Sequence, residues 1–131
     1  MKRIIKTVWG IKLTVIENNF LPPSGFSAIN LFPFAIYTQD YKKITDNTFR
    51  HEAIHTLQTR EMLILPYYLL YLFEYFVKFL VCWNRKKAYY SISFEQEAHY
   101  NRGNINYRQD RKWFAFAKYI FKMYKQFVSN V

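Results

Sequence analysis

Residues 62–83 of this 131-residue chain are apolar on nearly every side. That stretch limits what the rest of the chain can fold into. A helix of this length suffices to cross a bilayer. Two charges interrupt it, Glu74 and Lys78, four apart and so placed to pair along the helix. Mid-span charges are costly in lipid. Two readings follow: the core helix of a small domain, or a helix embedded in or lying on a membrane with Arg85, Lys86 and Lys87 at the headgroups. The length fits one domain, residues 1–131, with one core. At 51% apolar and 21% charged residues, the composition excludes a disordered chain.

The net charge is +10, from 19 Lys and Arg against 9 Asp and Glu. Nucleic acid, an anionic membrane surface and an acidic protein are the partners such a charge suits. The basic residues are scattered from Lys2 to Lys125 with no nucleic-acid signature, which places nucleic acid last. Cys82 is the sole cysteine, so no intrachain disulfide forms, and a reducing, cytoplasmic setting is expected. Lys6 and Lys12 interrupt the apolar stretch behind Met1-Lys2-Arg3, which argues against a secretory signal.

Periodicity divides the chain into a small β part, 8–44, and a helical part, 45–131. Trp9, Ile11, Leu13 and Val15 alternate with polar residues, as in a half-buried strand. Residues 31–38 read as a second strand, held to a sheet edge by Pro33. Residues 41–44 read as a short third one. Thr45 and Asp46 are candidate caps for a helix over about 47–65, which Pro66 ends or kinks. A second helical stretch runs to residue 83, a basic loop follows, and helix resumes near 92–100. A last helix is predicted from 110 to about 128, with Trp113, Phe116, Ile120, Tyr124 and Phe127 on one face.

The segment His51-Glu52-Ala53-Ile54-His55 falls within the first of these helices. Two imidazoles four residues apart leave a helix on one face about one turn apart, as two ligands of one tetrahedral zinc ion require. Glu52 is then placed to reach a water beside the metal rather than the metal itself. Acidic or imidazole groups downstream are Glu61, Glu74, Glu95, Glu97, His99 and Asp110. Glu61 points off the His51 and His55 face, and Glu74 has Lys78. That leaves the cluster Phe94-Glu95-Gln96-Glu97-Ala98-His99 on a later helix. Glu97 is expected to pair with Arg102 or a neighbouring lysine. Gln58 lies either on an exposed polar face or near the ligands.

HEAIH followed by FEQEAH resembles the gluzincin branch of zinc metallopeptidases, in which a Glu from a second helix completes the site. Glu95 and Ala98 match the ExxxD pattern of membrane prenyl-protein proteases, with His99 in place of the Asp. The resemblance therefore implies Glu95 as third ligand and one Zn2+ ion, and makes His99 a replacement for the Asp or a further ligand. The runs Gly25-Phe26-Ser27-Ala28-Ile29-Asn30-Leu31-Phe32, Arg50-His51-Glu52-Ala53-Ile54-His55-Thr56-Leu57-Gln58 and Ser91-Ile92-Ser93-Phe94-Glu95 also resemble a group of small uncharacterised bacterial zincin-like proteins.

This resemblance implies an α+β zincin-like fold, in which a small antiparallel sheet carries an edge strand beside the metal helix. The gluzincin resemblance, and not the bacterial group, which supplies no activity, implies peptide-bond hydrolysis, with Glu52 as general base. Ala35, Ile36 and Tyr37 would be the edge that holds a peptide or protein substrate. His99, Tyr100, Arg102 and Tyr107 are the candidates for supporting the ligands or the oxyanion. The alternative is a non-enzymatic, zinc-stabilised binding protein or membrane-associated accessory protein.

Overall fold

The computed structural model describes residues 2–22, 28–31 and 35–125. The architecture is α+β, a four-stranded sheet followed by a mainly helical part. The strands are β1 (Lys2–Val8), β2 (Ile11–Glu17), β3 (Ile29–Leu31) and β4 (Ala35–Thr38), in the spatial order β1-β2-β4-β3. Trp9 and Gly10 close the β1–β2 hairpin with φ of 53° and 78°, the paired left-handed conformations of a tight hairpin turn. Ile11, Leu13 and Val15 alternate into the core, as their spacing predicts. Trp9 instead sits in the turn, where its indole N–H donates to the Ile105 carbonyl at 2.5 Å. β1 was not expected, because Lys2, Arg3 and Lys6 mask the alternation of the half-buried Ile4 and Val8.

Four expectations about the sheet need correction. It is mixed rather than antiparallel, since β2 runs parallel to β4 while β4 pairs antiparallel with β3. The strand expected over 31–38 is two strands, and Pro33 lies outside the described residues. Ala35, Ile36 and Tyr37 are therefore not an edge: β4 has β2 on one side and β3 on the other. The edge strands are β3 and, on the opposite side of the sheet, β1, and both contact the following helix. Residues 41–44 also form no strand. Asp40 accepts the Lys42 N–H at 3.1 Å and Glu17 the Tyr41 N–H at 2.8 Å, which winds Tyr41–Lys43 into a 3-10 turn.

Thr45 caps α1 (Asp46–Met62) by accepting the Thr48 N–H at 3.2 Å. Phe49 and Ala53 of α1 pack on Ile11, Leu13, Val15 and Ile36 to make the first core. Ile54 packs separately with Ala98 and Tyr107, and the other buried residues of α1 are polar: His51, Glu52, His55, Thr56, Gln58 and Thr59. Leu63, at φ 67°, separates α1 from α2 (Ile64–Cys82). Pro66 falls in the first turn of α2, where its missing N–H leaves no helical bond unmade. In place of the expected basic loop, Asn84 caps a short α3 (Arg85–Ser91) by accepting the Lys87 N–H at 3.0 Å.

Between α3 and α4 (Ser93–Asn101) the chain breaks at Ile92. The two charges of α2 hold this break. Glu74 accepts the Ser93 N–H at 2.9 Å and the Ser93 hydroxyl at 2.5 Å, while the Lys78 ammonium donates to the Ser91 carbonyl. The predicted Glu74–Lys78 pair forms, at 3.6 Å, and is buried. Each charge thus complements a helix terminus of the matching polarity. Tyr67, Ile92, Phe94 and Phe116 form a second core beside it.

The long helix expected from 110 does not form. α5 (Tyr107–Asp110) ends at once, Phe114 turns left-handed at φ 54°, and a 3-10 turn covers Ala115–Tyr119. Side chains satisfy the backbone that helix would have satisfied. Lys78 Nζ donates to the Tyr119 and Lys122 carbonyls at 3.2 and 2.9 Å, and Gln96 Nε2 to the Lys122 carbonyl at 2.6 Å. Phe116 and Tyr124 are buried as their spacing suggests, whereas Trp113 is exposed; Phe127 lies outside the described residues.

Candidate metal centre

α1 and α4 pack side by side, and that packing brings the three candidate ligands together. His51 Nε2 lies 3.1 Å from Glu95 Oε1, His55 Nε2 lies 3.1 Å from the same oxygen, and the two Nε2 atoms are 3.0 Å apart. All three residues are buried, and this buried His51, His55 and Glu95 group could hold a metal ion. Donor atoms crowded this closely, with one anionic oxygen among imidazole nitrogens, have the chemistry of a cation site rather than of an apolar core.

The surrounding side chains fix which atoms face the centre. Gln58 is fully buried, and its amide nitrogen donates to the Phe94 carbonyl and to Glu97 Oε1, both at 3.0 Å. Its oxygen is thereby turned to His55 Nδ1 at 2.9 Å. A carbonyl oxygen accepts only, so the Nδ1 proton of His55 is assigned, and Nε2 faces the centre. Tyr71 donates to Glu95 Oε2 at 2.6 Å, and Tyr89 also hydrogen-bonds Glu95. The Tyr71 bond holds Oε2, and Oε1 is the oxygen that faces the imidazoles. Of these partners, the sequence suggested Gln58 alone; among 12 tyrosines nothing distinguishes Tyr71 or Tyr89 locally.

A third layer ties these groups to the C-terminal part. Glu97 is fully buried and accepts from Gln58, from the Tyr107 hydroxyl at 2.7 Å and from Arg111 Nε at 2.6 Å. Arg111 also reaches Glu61 at 3.0 Å, and Glu61 accepts the Phe114 N–H at 2.6 Å. The partner of Glu97 is therefore Arg111, not Arg102, which is exposed.

A cavity of about 300 Å³ opens onto the centre, lined by Glu52, His55 and Glu95, by Tyr67, Tyr68, Tyr71, Leu72 and Tyr89, and by Ile29 and Leu31 of the edge strand. Burial raises the Glu52 carboxyl above the ordinary carboxylate range; His51 and His55 oppose the rise and Glu95 adds to it. Two other candidates are placed elsewhere. Tyr100 accepts the Lys125 N–H at 3.3 Å, and Tyr107 is bound to Glu97; neither lines the cavity. His99 packs its ring edge-on against His51, with centroids 4.4 Å apart. Burial, with the neighbouring His51, pushes its imidazole down to about 3 and keeps it neutral. It buttresses the His51 ring and stands outside the ligating group.

Burial disfavours charge on His55, but the Glu95 carboxylate and its hydrogen bond, with Glu52 and Gln58, outweigh it and raise the imidazole from 6.5 to about 9. Glu95 suffers the same burial, yet His55 and His51 hold its carboxyl well below the ordinary range. Without metal, the native state thus keeps a proton on His55 that the unfolded chain releases above 6.5. The Glu95 share of this pair stabilises the metal-free fold above pH 4.5 and is lost as pH falls further; the His55 share is full below pH 6.5 and is lost as pH rises through about 9. A metal must displace that proton. Its apparent affinity is expected to rise about tenfold per pH unit between these limits and then level off. Competition titrations against a chelator at a series of pH values would reveal this; a flat profile would contradict it.

Comparisons with family models, with curated proteins and with solved structures found no match. The functional reading therefore rests on the geometry of the centre.

Proposed function

We propose that this protein is a zinc-dependent hydrolase of the gluzincin kind, cleaving peptide bonds with His51, His55 and Glu95 as zinc ligands and Glu52 as general base. The observation that carries the reading is the convergence of three donor atoms from two helices beside a cavity that Glu52 also lines. Separations of 3.0–3.1 Å are close to the edge of a zinc tetrahedron, about 3.3 Å for bonds near 2.0 Å. Bound zinc supplies Lewis acidity, polarising a carbonyl and acidifying water.

The remaining chemistry belongs to the chain. Glu52, its carboxyl raised by burial, takes a proton from the attacking water and delivers it to the leaving amine. Among the described residues β3, not β4, is the edge strand beside the cavity, and Ile29 and Leu31 line it. Tyr67 and Tyr68, which also line it, take the place of Tyr100 and Tyr107 as candidate oxyanion donors. The ligating group has three members among the described residues, which supports an open catalytic site over a closed structural one.

Glu52→Gln keeps the shape of the side chain and removes its basicity. The variant should bind one zinc per chain as the wild type does, and its cleavage of a quenched fluorescent peptide library should fall about 10²–10⁴-fold. Equal cleavage by the variant would overturn the role of Glu52. No cleavage by the zinc-loaded wild type would favour the non-enzymatic alternative.

A further inference from the structure

We propose that the outward face of α2 docks flat on an anionic lipid bilayer. Leu65, Leu69, Leu72, Phe73, Phe76 and Leu80 are 46–67% exposed, and their spacing puts them on one continuous stripe. Folded soluble domains rarely leave so long an apolar stripe in water. The two charges of α2 do not interrupt it, because Glu74 and Lys78 are turned inward and held by the α3–α4 junction. What reads in the sequence as a span broken by charge is, on its outer side, free of charge from end to end.

The same packing argues against a crossing helix. α3, α4 and the carbonyls of Tyr119 and Lys122 cover the inner side of α2, and Lys118 and Lys122 on that body are exposed. A spanning α2 would carry those charges into hydrocarbon, whereas a helix in the interfacial plane leaves them in water. Charge complementarity identifies the surface. Just beyond α2 come Trp83, 72% exposed, and then Arg85, Lys86 and Lys87, an aromatic and basic end suited to anionic headgroups. A second copy fits less well, because two chains of charge +10 repel each other.

Docking also has a consequence for the centre. Leu72 belongs to the exposed stripe and, with Tyr68, lines the cavity. The cavity mouth would then open at the lipid surface, toward an apolar peptide segment supplied from the bilayer. This last step rests on the hydrolase reading; the docking does not.

Flotation with vesicles of phosphatidylcholine alone, or mixed equally with phosphatidylglycerol, tests the docking. The zinc-loaded wild type should float with the mixed vesicles and far less with the neutral ones. The triple variant Arg85→Gln, Lys86→Gln, Lys87→Gln should bind about a hundredfold more weakly. Leu69→Glu with Phe76→Glu should abolish flotation while circular dichroism and zinc stoichiometry stay at wild-type values. Four results would overturn the proposal: no flotation of the wild type, equal flotation of the Glu variant, a vesicle-free dimer that the Glu variant dissociates, or Trp83 labelling from both leaflets. Peptide cleavage in solution is measured separately, so failure of the docking and failure of the hydrolase reading give different results.

Discussion

Replacing His51 and His55 together by alanine is expected to abolish stoichiometric zinc binding, with at least a thousandfold loss of affinity, of the order two lost ligands imply. The rings supply two of the three converging donor atoms, and Glu95 Oε1 is the third. No other histidine is placed to take over, because His99 contacts the His51 ring rather than joining the group. Mass spectrometry of the dialysed protein would measure the loss. The variant also leaves the Glu95 carboxylate buried without its two imidazole neighbours, while its bonds to Tyr71 and Tyr89 remain. Its carboxyl, now well below the ordinary range because of His55 and His51, should rise and take up a proton. One zinc per chain in this double variant would refute the proposed centre.

The second large effect is expected at a residue outside the ligating group. Arg111→Ala should destabilise the fold by about 3–5 kcal/mol, since removing one partner leaves a buried charge uncompensated. Here two carboxylates lose their cation, Glu97 and Glu61, at 2.6 and 3.0 Å from the guanidinium. Adding Glu97→Gln to the alanine variant should recover part of the loss, and that non-additivity separates the ion pair from simple packing. Zinc affinity should fall about 10–100-fold as well, because Glu97 orients the Gln58 amide that orients His55. Urea unfolding and zinc competition measure the two effects. A cost below about 1 kcal/mol would place Arg111 among ordinary surface pairs instead.

Much of the centre is legible in the sequence because its spacing is local. The four-residue interval of His51 and His55 fixes their common face once the helix is granted, and the Glu74–Lys78 pair follows from the same geometry. Glu95 came from resemblance, not spacing, and the packing of α4 on α1 brings it to the imidazoles. The failures are non-local. That β4 lies between β2 and β3 depends on a parallel pairing across residues 18–34, which alternation within a strand does not encode. The C-terminal helix has a sound amphipathic pattern. Arg111, drawn to Glu61 and Glu97, and the carbonyls taken by Lys78 and Gln96 favour an irregular path instead. Buried polar residues on α1 likewise defeat any reading of it as a simple amphipathic helix.

The bond between Arg111 and Glu61 joins positions 50 residues apart. During synthesis both histidines leave the ribosome well before the guanidinium that neutralises Glu97. A nascent chain that stops short of Arg111 already holds His51, His55 and Glu95, while the Glu97 that orients Gln58 still lacks its guanidinium. With the centre binding zinc as proposed, tight loading is expected only once the chain extends through Arg111 and that segment has folded back.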